Sequence, residues 1–308
     1  MEPRARIDLF GATALVGFSL LLASNQVVIK LVNDGFQPVF FAAIRSVGAA
    51  LVVALFIHLR GGTVAIARPY WGLALAMGAC FAVEFIGLFI ALDLTTVTRS
   101  SVIFYTMPVW LALGAHFVLP DDRITPVKAT GLVLAFAGAA VAIFFREGNG
   151  ADAGPEGGLS LVGDLCALLG AWGWASLVLI ARGTRFKEIP PQVQHFWQLA
   201  VSAPILLVAA FFFGPFVREL VAGHLWGLAF QIVLIAGFGF MFWIWLLSIY
   251  PASGVASFSF LSPIFGILAG WLLLGEDIGP STLLAGALVA VGLILINRPA
   301  KRAARPPI

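Results

Sequence analysis

Glu84 and Arg45 have the most chemistry to explain, because each lies inside a long apolar run. A charged group near the centre of a bilayer costs several kcal/mol, with estimates from about 2.5 upward, so it faces protein or water instead of lipid. Glu84 stands roughly 21 Å along a helix from the start of its run. Gly72, Ala76, Cys80, Gly87 and Ala91 share its ridge at spacings of three and four. Small residues let helices approach closely, so Glu84 is expected to face the bundle interior. Arg45 lies roughly 10 Å into its own run, and the two charges could share a depth and pair. Such a pair can lock helices together or meet a substrate. A carboxyl in low-dielectric surroundings is also open to protonation, so Glu84 could exchange a proton for substrate.

Other polar groups fall inside apolar runs. Asn25 and Gln26 could bond a substrate or a neighbouring helix through their amides. Tyr105 offers a hydroxyl near the Glu84 level, and His195 and Gln198 occupy comparable positions in the second half. Gln231 reads as structural. Phe238, Phe240, Phe242, Trp243 and Trp245 crowd one run. Trp243, with Trp110 or Trp174, could form a stacking wall for a planar substrate; lipid contact and core packing are the alternatives for each ring. Pro108 and Pro263 sit mid-run, where a proline removes a helix hydrogen bond and creates a kink, a cavity or a hinge.

Several chemistries find no pattern. His58, His116, His195 and His224 are scattered without an HExxH arrangement, which is poor for a metal site. Cys80 and Cys166 have no CxxC partner and read as small buried residues. No P-loop is present, so no metal, cofactor or nucleotide is expected. A membrane-embedded enzyme remains the rival class, and a channel would want rings of charge or a filter loop.

The elements that must position these groups are membrane helices. Hydrophobic residues make up 61% of the 308 positions, charged residues 11%, and mean hydropathy is +1.02. Globular chains average roughly 45–50% apolar and about 25% charged. A crossing helix needs roughly 17–25 mostly apolar residues. Ten stretches qualify: 9–31, 38–58, 70–92, 100–119, 127–145, 159–181, 191–213, 224–247, 253–273 and 281–296. The first follows Arg4 and Arg6 but is longer than a signal-peptide core, so it is expected to stay. Of the 18 Lys and Arg residues, 13 fall on the side of the termini and 4 on the other, with Arg45 inside a span. Loop charge of this kind places both termini in the cytoplasm. The basic residues lie in short loops and in the tail 297–308, so they report topology and not a nucleic-acid partner.

The chain also matches itself. At an offset of 155, Trp71-Gly72-Leu73-Ala74 falls on Trp226-Gly227-Leu228-Ala229, Pro108 on Pro263, Asp122 on Asp277 and Gly131 on Gly286. Arg45 meets Gln198 at 153. Five spans per copy, over 8–145 and 159–296, would insert the second copy upside down. The expected fold is therefore an all-α membrane protein of ten transmembrane helices in two inverted five-helix repeats, a plan secondary transporters use with a site near the midplane.

The run Met107-Pro108-Val109-Trp110-Leu111-Ala112-Leu113, then Asp121-Asp122, Gly131 and Gly138, resembles the end of an EamA-type half. Its second copy reads Leu261-Ser262-Pro263-Ile264-Phe265, then Leu274-Gly275-Glu276, Gly286 and Gly292. With ten spans, the chain resembles the drug/metabolite transporter superfamily over roughly residues 8–296. Leu22 and Pro120-Asp121 depart from that pattern, whereas Trp174 keeps it. The resemblance implies carriage of amino acids or related metabolites, with export as its commonest direction; import of a planar, vitamin- or nucleotide-like molecule is the competing reading. It implies a multi-pass protein of the inner (plasma) membrane. The stripes Gly266-xxx-Gly270 and Gly131, Ala135, Gly138 read as close-packing faces, leaving monomer and homodimer both open.

Overall fold

A computed structural model of the chain describes residues 7–119, 123–145, 156–250, 255, 258 and 260–297. Arg4, Arg6, Pro120-Asp121-Asp122, Arg146, most of the linker between the halves and the basic tail from 298 lie outside the described residues, as does the expected start of the ninth span.

Long apolar runs fold as helices here because a helix satisfies every backbone group within one segment, as lipid requires. They are α1 (Leu9–Asn33), α2 (Pro38–Leu59), α3 (Trp71–Leu94), α4 (Val97–Phe104), α5 (Met107–Val118) and α6 (Pro126–Phe144), followed by α7 (Glu156–Gly183) and α8 (Pro191–Ala210). The eighth run is α9 (Ala222–Phe230), a π-helical stretch over Gln231–Gly239 and α10 (Phe240–Ile249). Then come α11 (Leu261–Leu274) and α12 (Pro280–Ile296). Among the described residues there is no strand, only one antiparallel bridge between Phe36 and Val217. Eight of these segments are long and apolar enough to cross a membrane, and α11 and α12 are shorter apolar helices.

The starts of the helices are written locally. Asp8 Oδ1 accepts from the Gly11 N–H at 2.9 Å, the Gln37 side chain accepts from Phe40 N–H, and the Thr125 hydroxyl accepts from Lys128 N–H at 3.3 Å. Pro38, Pro126, Pro191 and Pro280 each stand in a first turn, where the missing N–H costs nothing. Asn25 and Gln26 do not break α1, which runs unbroken past them. The fourth span is divided at the expected proline: α4 ends at Phe104, Tyr105 and Thr106 form a turn, and Pro108 is the second residue of α5. Pro263 likewise stands in the first turn of α11.

Helix pairing follows the small residues. The α3–α7, α6–α12, α2–α8, α3–α8 and α1–α11 pairs dominate the packing. A Cβ on Gly131 would lie 2.7 Å from the Gly292 carbonyl, and one on Gly138 2.8 Å from that of Ala285. Both expected glycine stripes thus pack inside the chain, since Gly266 and Gly270 meet Ser101 and Thr98. Outside the bundle, Leu51, Phe117, Trp226 and Leu272 are all exposed, an apolar perimeter suited to lipid.

Candidate functional site

Arg45 is only 4% exposed and stands on α2 among three other helices. Its Nε donates to Gln231 Oε1 at 3.0 Å, and Gln231 Nε2 donates to the Asn25 carbonyl at 3.2 Å. The guanidinium carbon lies 4.4 Å from the Phe85 ring centroid and 5.9 Å from that of Phe89. A cation over aromatic faces gains more when desolvated, about 2 kcal/mol. Gln231, read from the sequence as merely structural, is the direct partner of this charge.

Glu84 is 6% exposed and faces the interior, as its neighbours at Gly87 and Ala91 required. The local reason is glycine: a Cβ on Gly173 of α7 would sit 2.8 Å from Glu84 Cα, and one on Gly170 would sit 3.0 Å from the Glu84 carbonyl. The other half of the expected ridge differs, because Gly72 meets open space and Ala76 is exposed. Glu84 and Arg45 interact through space, but among the described residues the direct ion pairs are Arg99–Asp164 and Arg218–Asp93. The expected contact pair is therefore a separated one. Glu84 Oε2 and Arg45 Nη1 are both buried without a hydrogen-bond partner, as are Asn25 Oδ1 and Gln198 Oε1.

A second node adjoins the first through consecutive amides of α1. Ser101 Oγ donates to Gln26 Oε1 at 2.6 Å, and the Tyr105 hydroxyl is hydrogen-bonded with the side chains of Ser262 and Gln26. This node spans α1, the α4–α5 break and the start of α11, joining both proline-marked turns.

His195 and Gln198 form the edge of the site on α8. Nε2 of His195 donates to the Ala236 carbonyl at 3.0 Å, so its Nδ1 accepts from Gln198 Nε2. The imidazole stacks on Phe240 at 3.5 Å and 17°. Ala236 belongs to the π-helical stretch, where the looser ladder often marks a functional position.

The expected tryptophan wall does not assemble. Trp110 packs edge-on against Phe136 at 4.9 Å and Trp172 at 5.1 Å. Trp243 stacks on Phe18 at 4.9 Å, and Trp174 packs against the main core. The rings against Arg45 are instead Phe85 and Phe89, while Phe240 lies on His195.

Sequence reasoning missed the closure of one end of the bundle. Lys30 Nζ donates to the Thr95 and Leu92 carbonyls at 2.7 and 3.2 Å, and Asn33 Nδ2 to the Phe89 carbonyl at 3.0 Å. Arg218 holds Asp93 with two bonds of 2.6 and 2.9 Å and also reaches the Asn33 carbonyl. That bidentate contact holds the Arg218 charge even more firmly, raising its pKa. Arg99 pairs with buried Asp164 at 2.5 Å. Glu276 accepts from the Val97 and Thr98 N–H groups at 2.7 and 2.8 Å, capping α4; it follows Gly275, whose φ of 67° ends α11. Lys30, Arg99 and Arg218 read from sequence as loop charges, since spacing along the chain does not name partners as much as 185 residues away.

The sequence profile of the EamA-like transporter family matches residues 9–144 and 161–298. The chain belongs to that family. It is similar to the Bacillus subtilis protein named "Uncharacterized transporter YoaV", 25% identical over 91% of this chain and 94% of that protein. It is also similar to "Uncharacterized transporter YvbV" of the same species, 27% identical over 86% of this chain and 84% of that one. A solved crystal structure, 20% identical, superposes with a TM-score of 0.64 over 92% of this chain and 97% of the other, a likeness of fold. This EamA-like protein is a multi-pass membrane transporter and not an enzyme.

Proposed function

We propose that this EamA-like transporter is a secondary transporter that exports an amino acid or related small metabolite across the inner (plasma) membrane by alternating access. The observation that carries this reading is the set of four buried, unpartnered polar atoms contributed by four helices: Asn25 Oδ1, Arg45 Nη1, Glu84 Oε2 and Gln198 Oε1. A buried donor or acceptor left unbonded costs about 1–3 kcal/mol, which a ligand bearing complementary groups would recover. One cationic donor set apart from an anionic acceptor, with two amide oxygens likewise left unpartnered, would suit a zwitterion: carboxylate to Arg45, ammonium to Glu84. Tyr105 and Gln26 extend the polar lining.

Two inverted halves, 8–145 and 159–296, are supported by the double match of the family profile. Helix pairing supports them too. Exchanging the halves turns α3–α7 into the contact of α1 with α9 and the π stretch, while α2–α8 and α6–α12 map onto themselves. The 13-to-4 distribution of Lys and Arg supports cytoplasmic termini. Lys30, Arg99, Arg218 and Glu276 then seal the outer end, so this conformation is closed to the outside. Glu84 gives up a proton on one side and accepts one on the other as substrate leaves. The flat faces of Phe85, beside Arg45, and of the stacked His195–Phe240 pair favour, as a second reading, import of a planar vitamin- or nucleotide-like molecule.

A thermal-shift screen of purified protein against amino acids, nucleosides and vitamins separates the two, because a ligand of the folded state raises Tm. Counterflow in liposomes with the hits then tests transport. Stabilisation by nucleosides or vitamins and by no amino acid would overturn the leading reading.

A further inference from the structure

The seam between α2 and the eighth span closes only along part of its length. Toward the sealed end it is tight: a Cβ on Gly237 would lie 2.9 Å from Val52, and Gly48 abuts Ile232. From Phe56 onward the helices part around a cavity of about 660 Å3, lined by Phe56, Arg60, Gln192, Phe238, Phe242 and Trp245 among others. These residues belong to neither polar node. The walls are α2, the start of α8 and the eighth span. Phe238 is 54% and Trp245 36% exposed, so the cavity opens on the flank of the bundle that meets lipid.

Its dimensions and charge are those of an amphiphile's site. Phe238 to Trp245 spans about 10 Å of helix, most of the roughly 15 Å of hydrocarbon in one leaflet. Arg60 stands at the interfacial mouth as the residue that ends α2. Its guanidinium rests 5.3 Å from the Phe56 centroid. Among the described residues the ion pairs join other groups, and no carboxylate there pairs with Arg60. Gln192 adds an amide to the same rim. An aromatic slot nearly one leaflet deep with a cation at its mouth fits an apolar tail under an anionic head. A free phosphate would gain nothing from the rings, and a zwitterionic head would bring its own cation toward Arg60.

We propose that this slot binds one anionic phospholipid from the leaflet on the Arg60 side, its phosphate on Arg60 and Gln192 and an acyl chain against Phe56, Phe238 and Trp245. The chain acts as a wedge that keeps this seam parted. The inference stands independently of the substrate reading, since binding is measured without transport.

The test uses the full chain in phosphatidylcholine nanodiscs with and without phosphatidylglycerol, with retained lipid counted by native mass spectrometry after detergent extraction. Phosphatidylglycerol is expected to be retained over phosphatidylcholine. Arg60→Gln should weaken that retention at least about tenfold, roughly 1.4 kcal/mol. Lys187→Gln removes the same charge from the same end, where Trp197 Nε1 bonds the Val64 carbonyl and Tyr70 bonds Glu188; it should change little. Met241→Trp, which fills the slot, should expel either lipid. Tm in pure phosphatidylcholine checks that each variant is folded. Equal losses for Arg60→Gln and Lys187→Gln would overturn the proposal, as would retention unaffected by Met241→Trp or displacement by inorganic phosphate.

Discussion

Glu84 Oε2 has no hydrogen-bond partner although the residue is buried, and the nearest compensating charge acts through space. In the proposed cycle that carboxyl is the group that changes protonation. Glu84→Gln keeps the shape but removes both the titration and the charge that meets the ammonium, so counterflow should need more substrate while its response to an imposed pH gradient falls at least about tenfold, roughly 1.4 kcal/mol. Unchanged coupling would remove Glu84 from the proton path. Arg45 is held by Gln231 and by the Phe85 face, which leaves Nη1 for a ligand. Arg45→Lys loses the planar fork, so affinity for a carboxylate-bearing substrate should drop about tenfold or more. The methyl ester of that substrate should bind both forms alike. Calorimetry on the purified variants reads this directly; a parallel loss for acid and ester would assign Arg45 to structure alone.

At the scale of the element, the site depends on how closely α7 lies against α3. Gly173 allows it, because any Cβ there meets the backbone at Glu84. Overpacking of a close contact costs about 1–3 kcal/mol. Gly173→Val should therefore lower Tm by several degrees and weaken ligand binding, whereas Gly17→Ala, with nothing within 4 Å, should be neutral. Equal Tm values for the two would mean the α3–α7 crossing tolerates separation. The α4 start depends on a different contact, across the bundle. Glu276→Ala leaves the Val97 and Thr98 N–H groups without their acceptor and should cost about 1–3 kcal/mol, seen as a lower Tm that Glu276→Gln partly restores. The α4–α5 break itself is local, since Pro108 supplies no N–H to continue the helix.

For the whole molecule, the charges at one end act together as a latch. Lys30, Arg218 with Asp93, and Arg99 with Asp164 tie α1, α3, α4, α7 and the loop after α8 to one another. Arg218 and Asp93 remain partly exposed, so their pair alone is worth about 0–1 kcal/mol, while breaking the buried Arg99–Asp164 pair costs about 3–5 kcal/mol. A shift of a few kcal/mol is enough to move a two-state equilibrium by orders of magnitude. Asp164→Asn should thus open this end: a Ser101→Cys probe, with Cys80 and Cys166 replaced, should react with an impermeant maleimide at least about tenfold faster than in the background that keeps Asp164. Equal labelling rates would show that the latch contributes no bias.

The amino-acid order determined most helix bounds to within a few residues, though the fourth run splits in two and the ninth, expected from 253, is described as a helix from Leu261. Apolar run length, the capping side chains Asp8, Gln37 and Thr125, and prolines in first turns are local signals, and lipid permits a long apolar segment no alternative to the helix. Glu84 and Arg45 were legible as interior groups for the same reason. What surrounds them was decided by tertiary structure. That Gln231 holds Arg45, that Phe85 and Phe89 instead of the tryptophans lie against it, and that Lys30, Arg218 and Glu276 close one end are facts of helix rotation and pairing. Partners of this kind stand up to 186 residues apart in the chain, and a rotation of one residue, about 100° on a helix, would exchange one set for another.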